Sequence, residues 1–155
     1  MARIVEFEPD VFGPEKILVV HDPGTGMLGY LVIDNTARGI GKGGVRMAPD
    51  LAFNDVLRLS RIMTWKNAAA DLPLGCARGD RANAGGVISA YTELVSGTAQ
   101  IAFESATEKI GRNTREVLEK ALKKNISPLE AALEMAQERV VVAMRAKGKW
   151  RDVQP

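Results

Sequence analysis

Two lysines stand where lysines are unusual. Lys42 lies in a glycine loop, Arg38-Gly39-Ile40-Gly41-Lys42-Gly43-Gly44-Val45-Arg46-Met47, and Lys66 lies in Met63-Thr64-Trp65-Lys66-Asn67. Val56, Leu59, Met63, Lys66 and Ala70 recur at helical spacing, so Lys66 falls on an apolar stripe. A lysine there must snorkel to water, find a partner or face a cavity. Snorkelling at the rim of a core is one reading. The other is a site for an anionic ligand. Two ammonium groups converging on one cleft can hold two carboxylates, or one carboxylate twice. The glycines beside Lys42, Gly43 and Gly44 among them, let backbone N–H groups approach the same anion.

Other chemistries find little support. His21 is the only histidine and Cys76 the only cysteine, so neither a zinc cluster nor an internal disulfide can be assembled. His21 ends an apolar run and reads as turn or surface structure. The glycines from Gly39 to Gly44 match G-x-G-x-x-G as a bare pattern, but Pro49 follows too soon for a helix to open directly on them. They are not a dinucleotide fingerprint, and no cofactor is expected. A net charge of +2 and 5% aromatic residues argue against nucleic acid as a partner. No run approaches the roughly 20 apolar residues of a membrane span, and the start MARIVEF is not a signal peptide. A cytoplasmic protein is the expectation.

The elements that must position the lysines follow in order. At 155 residues the chain is expected to form a single α/β domain, a mixed sheet packed by helices. Ile17–Val20 and Leu28–Asn35 predict two strands joined through the turn Asp22-Pro23-Gly24-Thr25-Gly26, and an uncovered edge of so apolar a sheet invites a second chain. The stretch from Asp50 to Ala70 predicts a helix with Asn54 as N-cap, closed by Leu72-Pro73. Val87–Val95 fits either helix or strand.

From Gly97 onward the pattern is helical. One helix, 98–124, starts at Thr98 and buries Ile101, Ala102, Ala106, Ile110, Thr114, Val117, Leu118, Ala121 and Leu122. A second, 127–147, starts with the capping box Ser127-Pro128-Leu129-Glu130, buries Leu129, Leu133, Ala136, Val140 and Ala143, and stops at Gly148. The bases Arg139, Arg145, Lys147, Lys149 and Arg151 read as decoration of a solvated helix end.

Three segments, GKGGVRM, MTWKNAAADLPLG and ANAGGV, resemble the glutamate/leucine/phenylalanine/valine dehydrogenase family and occur in its order; the stretch from Gly97 to Trp150 is similar to the end of its archaeal-type glutamate dehydrogenases. The resemblance implies that Lys42 meets a substrate side-chain carboxylate, that Lys66 holds the α-carboxylate, and that Asn83 lies at the substrate cleft. It also exposes departures. The family's GGAKGG appears as Gly75-Cys76-Ala77-Arg78-Gly79-Asp80, which puts Arg78 at the catalytic lysine, and a guanidinium cannot shuttle a proton at working pH. The family serine that often completes a glutamate pocket falls at Ala90, with Ser89 one residue away. The catalytic aspartate and the whole dinucleotide-binding domain should stand between Gly79 and Ala82, where only Asp80 and Arg81 are found.

The expectation is therefore a non-catalytic substrate-binding and oligomerisation core. It comprises an N-terminal segment, 1–79, a junction at 80–81 and a helical segment, 82–155. The clean junction points to deliberate deletion of the cofactor domain. A homo-oligomer, with an amino acid or dicarboxylate as possible ligand, is expected; an active NAD(P)-dependent dehydrogenase is the rival reading. Lys42 speaks for a glutamate-specific parent, and Met47 after Arg46 for a branched-chain or aromatic one.

Overall fold

A computed structural model describes residues 6–44, 51–76, 91, 92, 94, 95 and 97–150, apart from the side chains of Met27 and Phe103. The fold is α/β. Strands β1 (Lys16–Asp22) and β2 (Met27–Ile33) form the expected antiparallel hairpin, with Ile17 opposite Val32 and His21 opposite Leu28. Asp22 shapes its turn, accepting hydrogen bonds from the Gly24 N–H at 3.1 Å and the Thr25 hydroxyl. Two-residue strands β3 (Gly41–Lys42) and β4 (Gly75–Cys76) pair in parallel, Gly41 with Gly75 and Lys42 with Cys76. Lys42 thus sits in a short strand rather than in the predicted glycine loop. Gly41 and Lys42 are the part of the glycine run that forms this strand.

The chain just past β2 ties the two ladders together. Asp34 N–H donates to the Cys76 carbonyl at 3.1 Å, and Cys76 N–H donates to the Asn35 carbonyl at 2.9 Å. Backbone approaches backbone so closely here that a Cβ on Gly75 would lie 2.4 Å from the Asn35 oxygen and 2.7 Å from the Gly39 oxygen. Glycine at 75 is required by space.

Helix α1 (Phe53–Ala69) connects β3 to β4. Its N-cap is Ala52, not Asn54. Alanine offers no side-chain acceptor, but Asp55 accepts from the Ala52 N–H at 3.2 Å, and this half of a capping box starts the helix two residues early. The buried face comprises Phe53, Val56, Ser60, Met63, Thr64, Asn67 and Ala68. The helical period therefore runs through polar residues that hydrophobic patterning passes over.

Tyr91, Thr92 and Leu94 are helical. Helices α2 (Ala99–Lys124) and α3 (Pro128–Ala146) match expectation at their ends. Thr98 accepts from the Ile101 N–H at 3.3 Å, Asn125 closes α2 in the left-handed region, and Ser127 and Glu130 form the reciprocal capping box. Their faces differ from expectation. Leu129 and Leu133 are exposed; Ala136 and Val140 are buried as expected, joined by Ala131, Met135 and Met144, because α3 packs against α1 as well as α2. On α2, Ala121 is buried while Ile101, Ile110, Leu118 and Leu122 are exposed.

The core has three adjoining parts. Val32 meets Phe53 and Val56 beneath the hairpin; Met63, Ala70, Leu72, Leu74 and Cys76 surround β4; Ala37 and Ala68 pack on Ala136, Val140 and Met144. No helix among the described residues is long and apolar enough to cross a membrane.

Candidate functional site

The last two turns of α1 present Lys66 and Asn67 beside β4. The Lys66 Nζ atom is buried and, like the Asn67 Oδ1 atom, has no hydrogen-bond partner; among the described residues these are the two buried side-chain polar atoms in that condition. Burial disfavours the ammonium form and pushes the Lys66 pKa below the ordinary lysine value. Snorkelling is excluded by this geometry, since the charged head does not reach water.

Asn67 fixes β4 to the helix. Its Nδ2 donates to the Gly75 carbonyl at 2.8 Å. The next residue, Cys76, pairs with Lys42 across the parallel ladder. One chain of contacts therefore links the two lysine-bearing elements, from α1 through β4 to β3, with Gly43 and Gly44 following directly. Asn83 and Arg78 lie outside the described residues, as do Asp80, Arg81, Ser89 and Ala90. Sequence patterning missed Asn67, although its spacing from Phe53, Ser60 and Met63 puts it on the buried face. An open groove of about 350 Å³, lined in part by Phe12, Lys124, Glu134 and Arg145, contains none of the candidate residues.

Two polar networks hold this corner. In the first, buried Asp34 accepts from the Arg61 Nε at 2.9 and 3.1 Å and from the Thr64 hydroxyl, while Arg61 also pairs with Asp10. Burial opposes ionisation of Asp10, but hydrogen bonds from Arg61 and from the Phe12 and Gly13 N–H groups outweigh it and hold its pKa below the usual carboxylate range. The second network clasps the end of α1. Asp71, at φ 54°, accepts from Arg38 at 3.0 Å and from Arg112 at 2.6 Å, and its carbonyl accepts from Lys109 at 3.1 Å. Arg139 donates at 3.0 Å to the carbonyls of Ala68 and Ala69 and to Asn113 Oδ1. Far from decorating a solvated end, Arg139 satisfies the last carbonyls of α1, where the helix dipole favours a cation. Lys149 likewise reaches back to Glu15 at 3.0 Å, and Lys147 to the Thr36 carbonyl at 3.2 Å.

With this geometry in place, comparison with known proteins decides the relationship. The family described as "Glu/Leu/Phe/Val dehydrogenase, dimerisation domain" matches residues 14–119. The chain belongs to this family. It is similar to the glutamate dehydrogenase of Aeropyrum pernix, 37% identical over 106 residues, which cover 66% of this chain and 25% of that protein. It is also similar to the phenylalanine dehydrogenase of Thermoactinomyces intermedius, 40% identical over 70 residues, or 43% of this chain and 19% of that protein. The matches thus span a quarter or less of these curated relatives. A crystal structure of L-tryptophan dehydrogenase from Nostoc punctiforme has a TM-score of 0.75 at 12% identity, covering 86% of this chain and 97% of that chain, which is a likeness of fold. This member of the family therefore carries an amino-acid dehydrogenase dimerisation domain, with the predicted α/β class.

Proposed function

We propose that the protein is a self-assembling, carboxylate-binding core that performs no redox chemistry unaided. The observation that carries the assembly half is the uncovered hairpin. Leu18, at 55% exposure, stands with Val20 and Leu31 on one exposed face of the hairpin, while Val19 and Leu28 are exposed on its other face. Apolar strands of this kind are covered in stable proteins, and a second copy of the hairpin is the simplest cover in a dimerisation-domain family. The expected outcome is a homo-oligomer by sedimentation at micromolar concentration, with Leu18→Lys shifting it to monomer; a monomeric wild-type protein refutes assembly.

The ligand half rests on Lys66. A buried ammonium without a partner is costly, and a carboxylate relieves the cost by forming a charge-assisted hydrogen bond. The ligand class proposed is an amino acid or a dicarboxylate, with Lys42, Gly43, Gly44 and Asn83 contributing as the family resemblance implies. Two sequence features support the absence of redox activity: Arg78 stands at the catalytic lysine, and Asp80 and Arg81 occupy the place of a cofactor domain, consistent with its deliberate removal. Amino-acid-dependent reduction of NAD(P)⁺ by the pure protein would contradict it.

A further inference from the structure

The paired deficiency at Lys66 and Asn67 has a chemical complement. Lys66 offers a donor cation without an acceptor. Asn67 offers an acceptor without a donor, and its orientation is not ambiguous. The Gly75 carbonyl has only lone pairs to present, so the amide nitrogen must face it at 2.8 Å, and the amide oxygen must point elsewhere. Asn67 is 1% exposed, so that oxygen cannot turn to solvent without breaking the contact that holds β4. The two residues are consecutive on α1, with Cα atoms about 3.8 Å apart, and both orphaned atoms are buried.

We infer that Asn67 is a specificity-determining residue: its Oδ1 atom accepts a hydrogen bond from the α-ammonium group of an amino acid whose carboxylate is held by Lys66. This rests on the carboxylate-binding reading above. A carboxylate beside an ammonium is a common metabolite grouping that satisfies both orphaned atoms at once. A 2-oxo acid satisfies Lys66 alone, and its carbonyl oxygen would face the amide oxygen, acceptor against acceptor. The lowered proton affinity of Lys66 agrees, since a site without its anion disfavours the ammonium form.

Calorimetric titration of the wild-type protein with L-glutamate and with 2-oxoglutarate tests this without mutation. These ligands share both carboxylates and differ at the α-position. The expected result is at least fivefold tighter binding of L-glutamate. Equal affinities, or tighter binding of the oxo acid, overturn the role of Asn67 while leaving carboxylate binding by Lys66 intact. Failure of both ligands to bind overturns both. In Asn67→Leu, checked for folding by circular dichroism, the preference should fall to within twofold while 2-oxoglutarate still binds. A preference that survives the substitution assigns it to another residue.

Discussion

Two sites five residues apart on one helix end are built in opposite ways. At Asp71, three cations reach the residue's side chain and backbone, and Arg139 caps the carbonyls just before it. At Lys66 and Asn67, a buried ammonium and a buried amide oxygen have no partner. A chain that satisfies the end of α1 so thoroughly does not leave the preceding turn unsatisfied for lack of polar groups. The contrast separates a structural charge network, whose members answer each other, from two atoms that no described residue answers, on which the carboxylate-binding proposal rests.

Breaking the saturated side should produce the largest effect. Arg139 has 17% of its side chain exposed and serves two helix carbonyls, Asn113 and Glu116 together. Arg139→Ala takes one donor from each of them, although Ala68 keeps the Asp71 N–H and Glu116 keeps Arg112, and the expected loss is about 3 kcal/mol. Urea unfolding measures it. A loss below about 0.5 kcal/mol, the scale of an exposed pair, would mean that the clasp is ornamental and the comparison fails.

The clasp also shows why sequence reading reached the elements before the site. Thr98, Asn125, Ser127 and Glu130 act through neighbours within a few residues, so the ends of α2 and α3 were legible. The hairpin was legible for the same reason. Arg139 was not, because its partners on α1 lie about 70 residues away and nothing local distinguishes it from the bases after it. Asn67 failed on another count. Hydrophobic patterning skips polar residues, yet Ser60, Thr64 and Asn67 occupy the same buried face as Val56 and Met63. Leu129 and Leu133 are the mirror case, apolar residues on a helix whose buried side was set by two neighbours at once. Lys66 was legible because a lysine interrupting an apolar stripe is conspicuous without any partner.

Removing the charge on the unsatisfied side should have a smaller effect of opposite sign. Lys66→Met keeps the apolar stem and deletes an ammonium that no described residue answers, so the ligand-free protein should gain about 1 kcal/mol. The gain should depend on pH. Because the folded pKa is lowered below the ordinary lysine value of 10.5, the unfolded chain binds more protons between the two values, and wild-type stability rises with pH through that window. The methionine variant lacks this rise, so the difference between the proteins should shrink as pH climbs through the depressed pKa toward 10.5. Thermal melts at pH 7 and at pH 10 measure it. A destabilised Lys66→Met protein at pH 7 would show that the ammonium is already satisfied.

The smallest effect sharpens the comparison from within the clasp. Arg112 meets Asp71 at 2.6 Å, as short a contact as any in the network, but its side chain is 39% exposed and Asp71 is 36% exposed. Distance alone would rank this pair with Arg139. Solvent decides otherwise, because water and salt screen the attraction and an exposed arginine gives up rotamer freedom to hold one geometry. Asp71 also retains Arg38 at 3.0 Å, so its carboxylate is not orphaned when Arg112 is lost. Arg112→Ala should therefore cost about 0.5 kcal/mol at low salt and almost nothing near 1 M salt, where the screening length falls to about 3 Å. Urea melts at both salt concentrations check this. A salt-independent loss approaching that of Arg139→Ala would mean that the clasp acts as one cooperative unit, in which exposure no longer sorts the strong members from the weak.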